Sequence, residues 1–477
     1  MSFRNTTKKV AHALPLASCI LLATVASFSY AQKSPIETDE PRHVILIIGD
    51  GMDDQQITIA RNYLSGAAGH LLLDEMPLRA STQVLTIEDT LEGAAVYVGD
   101  SANTATSMAS GELTSRGRIS TRAGSNQPIP TIVEMAEAAG YKTGLVSTAS
   151  VTDATPAAFA THMSLRLCEN PQAMLDITYK DMYLGECKSE LKANGGLGSI
   201  AEQLVDSGLD VILGGGAKHF FMAAEGSTDT VADIAKQKGF QLVTTADELA
   251  SSVPQGRLLG LFSPSTMPVL LQGENERAAE KPKTSLLHNV HRYLGEVTLP
   301  APMHCEPNPS FAPMPSLKAM TDTALALLSH DNTKGFFLMV ESASIDKQSH
   351  ERKPCGSIGE LQQLNEALAS ALDFAEQHPN TLVLVTADHA QSAQIIPNVS
   401  LFAAYPIPVY TPGKLARIIT PEGSVLAVNY ATNNFPYGEH TGANVPLFAN
   451  LEGVGIVPPF LQQRDIFTIS RDYLKLD

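Results

Sequence analysis

Positive charge is what this sequence is short of. Its 33 Lys and Arg residues stand against 50 Asp and Glu, a formal net charge of −17. A nucleic-acid partner needs a basic face to meet the phosphate backbone, so none is expected. Cysteine is sparse too, with five in 477 residues. None has CxxC spacing, which excludes a dithiol redox motif and a thiolate zinc site. No internal repeat, low-complexity tract or linker interrupts the chain, so one domain with insertions is expected. A strand-like run at 209–213 ends in Gly214-Gly215-Gly216. The Lys-Ser/Thr pair of a phosphate loop does not follow, so a tight turn is expected there.

The first 31 residues read as a leader. Arg4, Lys8 and Lys9 precede an apolar stretch at 14–28, and Ser29-Tyr30-Ala31 forms a small-x-small cleavage site. This is the pattern of a secretory signal peptide rather than of a membrane span. Leu16-Ala17-Ser18-Cys19 resembles a lipoprotein box, but the longest apolar run follows Cys19, where an acylated cysteine is followed by polar residues. Lipid anchoring is therefore not expected. Removing the leader takes away three basic residues and lowers the net charge to −20. Residues 32–42 read as a flexible arm. Four cysteines then remain, Cys168, Cys187, Cys305 and Cys355. An even count in an exported chain points to two disulfides. Three pairings are open, and Cys168–Cys187 with Cys305–Cys355 closes the shorter loops.

From residue 43 on, strands alternate with helices. Strands are expected at 43–48, 82–87, 142–147, 209–213, 241–244, 257–262, 335–340 and 381–386. Helices are expected at 55–64, 100–110, 131–139, 200–207, 229–238, 317–328, 358–376 and 464–476. This alternation implies an α/β fold, a mostly parallel central sheet with helices on both faces. The stretch 391–437, rich in Pro, Val, Tyr and Thr, reads as a β-rich inserted subdomain. Residues 271–300 match no pattern.

Several expected strands end in residues that do not belong in a core. Asp50, Glu341 and Asp388-His389 follow apolar runs directly, and Asp346 and His350, four apart, share a helix face. Asp100-Ser101, Asp153, Thr155 and Glu439-His440 lie in loops or at helix starts. In open α/β sheets, function sits outside the carboxyl ends of the strands. Buried carboxylates in such number need compensation, and cations are the simplest. Mixed His and Asp ligands suit zinc, and an all-oxygen set with Thr and Glu suits magnesium. Asp100-Ser101 also reads as a plain helix N-cap. His162, His219, His288, His291 and His304 receive no function.

Six motifs in order resemble the alkaline phosphatases of bacteria: GDGM (49–52), GDSANTATSMASG (99–111), TDATPAAFATH (152–162), VESASIDKQSH (340–350), TADHA (386–390) and EHTGANVPLFA (439–449). The resemblance runs from about residue 43 to 449. It implies a catalytic domain over 43–477 and two Zn2+ and one Mg2+ per subunit. Ser101 is similar to the nucleophile that becomes a phosphoserine. Asp346, His350 and His440 are similar to the ligands of one zinc, and Asp50, Asp388 and His389 to those of the other. Asp50, Thr155 and Glu341 are similar to the magnesium ligands. Arg166, held by Asp100 and Asp153, is similar to a phosphate clamp. Lys347 and Asp153 resemble the outer residues of the enterobacterial branch, whose disulfide pairing is also the local one. The resemblance further implies a homodimer, a periplasmic or secreted location and phosphate monoester substrates. Phosphodiesterases and sulfatases of the same superfamily are the nearest alternative, and an exported metal- or phosphate-binding protein without turnover is another. Thr155, Glu341 and Arg166 favour a monoester dianion over a diester.

Overall fold

The structure is a computed structural model that describes residues 40–477 apart from 180, 254, 403, 406 and 407. The leader read over 1–31, Cys19 within it, and the arm up to residue 39 lie outside the described residues. The central sheet has ten strands: β1 (Arg42–Gly49), β2 (Leu78–Gln83), β3 (Lys142–Ser150), β4 (Val211–Gly215), β5 (Phe240–Val243), β6 (Arg257–Leu261), β7 (Gly335–Ser342), β8 (Thr381–Ala387), β9 (Val445–Ala449) and β10 (Phe460–Gln462). Their order is β10-β2-β9-β8-β1-β7-β3-β4-β6-β5. Only β9 runs against its neighbours, pairing antiparallel with both β8 and β2.

The central strands are apolar throughout because both faces are covered. Along β1, Val44, Leu46 and Ile48 enter one core while Ile45 and Ile47 enter the other. β7 divides in the same way, Phe337 and Met339 to the first core and Phe336, Leu338 and Val340 to the second. The Ser101–Ser110 and Gln463–Leu474 helices cover the first face, and the Asp54–Leu64, Leu317–Ser329 and Pro354–Gln377 helices the second.

Three local expectations need correction. The run 82–87 is not one strand: Leu78–Gln83 joins the sheet, and Thr86–Ile87 pairs with Ala95–Val96 in a separate ribbon. The long helix begins at Pro354 rather than 358. Proline at the first helical turn lacks only an amide hydrogen that has no partner there. Gly359, which weakens the helical pattern, is where the helix meets Leu271, and a Cβ would stand 2.7 Å from the Leu271 amide nitrogen. Of the three glycines at 214–216, two continue β4, and only Gly216 turns, at φ +96. A Cβ on Gly215 would lie 1.9 Å from the Ser265 carbonyl oxygen, so close backbone approach is what requires glycine there.

Both disulfides form as the local pairing, Cys168–Cys187 and Cys305–Cys355. The stretch 391–437 carries its own three-stranded antiparallel sheet, Ala393–Ile396, Val425–Tyr430 and Lys414–Ile419. Residues 271–300, unplaced by sequence, lie against it through bridges from Glu280 to Leu415 and, just beyond, from Met303 to Ile418.

Candidate active site

Register brings the acids together. β8, β1 and β7 are neighbours, with Ile48 opposite both Glu341 and Thr386. Asp50, Glu341 and Asp388-His389 therefore emerge side by side at the carboxyl edge. β7 runs into the Ser344–His350 helix, whose one face presents Asp346 and His350. β3, the next strand over, runs to Asp153, the N-cap of the Ala154–Ala160 helix that carries Thr155. Ser101 opens its helix behind the N-cap Asp100. His440 arrives in the loop before β9.

Two triads result. In each, the ligating atoms lie within 4.8 Å of one another: Asp346, His350 and His440 in the first, and Asp50, Asp388 and His389 in the second. In the first, His350 Nε2 is 3.2 Å from Asp346 Oδ2, His440 Nε2 is 3.4 Å from Asp346 Oδ1, and the two Nε2 atoms are 3.0 Å apart. Each ring is oriented through its other nitrogen. His350 Nδ1–H donates to the Gly438 carbonyl at 2.7 Å and His440 Nδ1–H to the Gly99 carbonyl at 3.0 Å. That fixes both lone pairs on Nε2, the tautomer a metal needs. In the second triad, His389 Nε2 is 3.4 Å from Asp50 Oδ1 and 3.3 Å from Asp388 Oδ2. Ser101 sits inside this triad. Its Oγ is 3.2 Å from His389 Nε2 and 3.5 Å from each oxygen of Asp50.

The electrostatics ask for positive charge. Burial, and then the charges of Asp388, Asp346 and Glu341, push Asp50 well above the carboxylate range. Burial, with Asp153 adding repulsion, pushes Glu341 up to about 7. Burial and Asp346 push Asp388 up to about 6. Burial and His440 hold His389 well below its ordinary value, so it stays neutral. Asp346 goes the other way: burial opposes it, but hydrogen bonds from His350 and His440 hold it well down. His440 is raised to about 9 against its burial, by Asp346. Asp388 Oδ2 and the Thr155 hydroxyl are buried without a hydrogen-bond partner. Orphaned buried oxygens among crowded acids, beside the neutral His389, fit metal ions: zinc by its His and Asp donors at the triads, and magnesium by the oxygens of Asp50, Thr155 and Glu341.

A cationic clamp faces them. Arg166 donates from one guanidinium nitrogen to Asp100 Oδ2 at 3.2 Å and from another to Asp153 Oδ1 at 2.8 Å. Lys347 donates to the other oxygen of Asp153. Burial works against ionised Asp153, yet Lys347 and Arg166 hold it well below the usual range. Asp100 fills both of its expected roles, since it also accepts from the Asn103 amide at 3.2 Å as a helix cap. All thirteen residues singled out from sequence, from Asp50 to His440, thus lie at this edge of the sheet.

Sequence reading missed the supporting residues. Gln391 donates from its side chain to Asp346 Oδ1 at 2.5 Å and from its backbone N–H to Asp53 Oδ2 at 3.2 Å. Gln463 donates to the Asp388 carbonyl from the last helix. Arg352 donates to the carbonyls of Pro436 and Phe435 and to Asn433 Oδ1, and so holds the loop that ends in Gly438. Gln391 stands directly beside a motif and was findable. Gln463 and Arg352 act across long separations and carry no local signal.

A family model described as "Alkaline phosphatase" matches residues 41–417. An alkaline phosphatase of Escherichia fergusonii is 40% identical over 448 residues, covering 92% of this chain and 87% of that protein. The streptomycin-6-phosphate phosphatase of Streptomyces griseus is 39% identical over 441 residues, 90% of this chain and 89% of that one. Among solved structures, alkaline phosphatase from the Antarctic bacterium TAB5 superposes with a TM-score of 0.64 at 24% identity, covering 92% of this chain and 99% of that chain. At that identity the superposition speaks for the fold.

Proposed function

Because the chain belongs to the alkaline phosphatase family, a family of metal-dependent phosphomonoester hydrolases, we propose that it cleaves phosphate monoesters through a phosphoserine on Ser101, with two zinc ions and one magnesium ion per subunit. The observation that carries this reading is the seat of Ser101 inside one acid–imidazole triad, with a second triad and the Arg166 clamp beside it. Zinc bound at the triads would neutralise the buried carboxylates and lower the pKa of a coordinated hydroxyl or water.

The chain's own residues supply the rest. Arg166, braced by Asp100 and Asp153, presents a planar fork to two oxygens of the phosphate dianion. Ser101 Oγ attacks phosphorus in line, the bond to the ester oxygen breaks, and the alcohol departs on the opposite side, toward Asp346, His350 and His440. Water then enters from that side, the Ser101–phosphorus bond breaks, and inorganic phosphate leaves. No histidine base is required, because metal bound at the second triad would lower the pKa of the Ser101 hydroxyl, whose proton leaves to solvent while the departing oxygen takes one up. Lys347 and Asp153 set the outer charge around Glu341 and Arg166, as in the enterobacterial branch. The same proposal includes assembly as a homodimer, export through the leader at 1–31, and a catalytic domain over 43–477 with its insert at 391–437.

The test is hydrolysis of an aryl phosphate monoester beside the matching diester, after metal stripping and after refilling with zinc and magnesium. A large monoester preference restored only by metal is expected. Preference for the diester would keep the fold and discard the monoesterase reading. No turnover of either would leave a binding protein.

A further inference from the structure

Behind the loop that ends at Gly438, a cavity of about 500 Å³ opens between the insert and the side chains of Lys281 and Arg352. Lys281, Arg352 and Lys414 line it, with Asn433, Asn434 and Tyr410, and no acidic residue does. In a chain of net charge −17, three cations on one cavity without a carboxylate is an imbalance to be explained.

The three cations are also unneutralised. Among the described residues, the ammonium groups of Lys281 and Lys414 have no ion-pair or hydrogen-bond partner. Arg352 is 1% exposed, at a backbone φ of +59. Its terminal nitrogens donate only to neutral oxygens, the carbonyls of Pro436 and Phe435 and Asn433 Oδ1, and its buried Nε–H has no partner. A shielded guanidinium without a counter-ion is costly, and buried charges are normally paired. The residue is fixed by its contacts, so it cannot swing out to water.

We propose that the cavity framed by Lys281, Arg352 and Lys414 is an anion-binding site that takes a phosphate-type oxyanion. Two ammonium groups and a guanidinium fixed by its contacts supply the charge, and the Asn433 and Asn434 amides and the Tyr410 hydroxyl supply neutral donors. The site shares no lining residue with the cavity beside Asp100, His350 and His440. It lies against the loop whose Gly438 carbonyl orients His350.

Equilibrium dialysis of the full, metal-loaded chain against radiolabelled inorganic phosphate at low ionic strength counts the sites. Two per chain are expected, one of them catalytic. The Lys281→Met/Lys414→Met double variant keeps both apolar stems and should lose the second site, with binding weakened about tenfold or more. Its hydrolysis of an aryl monoester should stay unchanged, which also confirms that it folds. Arg166→Ala should lose the catalytic site and keep the other, and two sites surviving Arg166→Ala would count against the catalytic reading instead. On that variant, phenylphosphonate as competitor separates the sources of the oxyanion. Displacement well below the phosphate concentration marks an organic phosphate, and displacement at equal concentration marks free phosphate. A single site in the wild type, or a second site that survives loss of both lysines, would overturn the proposal.

Discussion

Strand β1 buries a titratable residue near each end, and the two ends solve the problem differently. Near the amino end, His43 is 4% exposed and packs against Phe336, Phe374 and His378, with ring centroids at 4.4, 5.4 and 5.8 Å. Burial, helped by His378, lowers it to about 4, so the ring is neutral at ordinary pH and needs no counter-charge. At the carboxyl end, burial pushes Asp50 up in the same way, but Asp388, Asp346 and Glu341 stand around it. One isolated group can discard its charge by a pKa shift. A cluster of acids offering lone pairs to a common centre is built for something positive. The same strand thus separates a packing solution from a binding solution.

Ser101→Ala should break the chemistry while leaving that charge balance intact. Turnover should fall by about 10³-fold or more, roughly 4 kcal/mol, with zinc content unchanged by metal analysis. Loss of zinc along with turnover would mean that Ser101 is structural. Asp50→Asn acts on the balance itself. In the metal-loaded enzyme it should cost at least about 100-fold in activity, and in the metal-stripped chain it should raise the unfolding midpoint, because one repelling carboxylate is gone. A fall in the metal-free midpoint would contradict the account of Asp50 as a strained acid.

His43→Leu sharpens the other end. With a folded pKa of about 4 against 6.5 in the unfolded chain, the unfolded state binds more protons between those values. Wild-type stability is therefore whole above pH 6.5 and lost as pH falls toward 4. At pH 5 the histidine contributes a loss of about 2 kcal/mol, which the leucine variant should not suffer. Urea titrations of both proteins at pH 5 and pH 8 would measure it. Parallel losses in the two proteins would place the acid sensitivity elsewhere.

The catalytic edge was legible because its residues contradict their surroundings. Glu341 after five apolar residues and Asp388-His389 after a β-branched run have no place in a core, and the strand order then sets them side by side. Asp100 was legible in both of its uses, since capping and holding Arg166 draw on different oxygens and directions. What was not legible depends on distance. Nothing near Gly99 or Gly438 announces that their carbonyls set the tautomers of His440 and His350. Residues 271–300 form ribbons of only two or three residues a strand, 271–273 against 305–307 and 283–284 against 297–298, and their backbone pairs with the insert through the Glu280–Leu415 bridge, so no run is long enough to show a period. The glycines at 214 and 215 looked like a turn because the Ser265 carbonyl that crowds one of them is fifty residues on.

The central claim is that the buried acids at the carboxyl edge are held for cations. Thermal unfolding of the full chain at pH 8, metal-stripped and then with rising zinc and magnesium, tests it most directly. The account predicts a midpoint that climbs with metal concentration, by a stabilisation of about 2.7 kcal/mol at a hundredfold excess over the dissociation constant. The same midpoint with and without metal would contradict it.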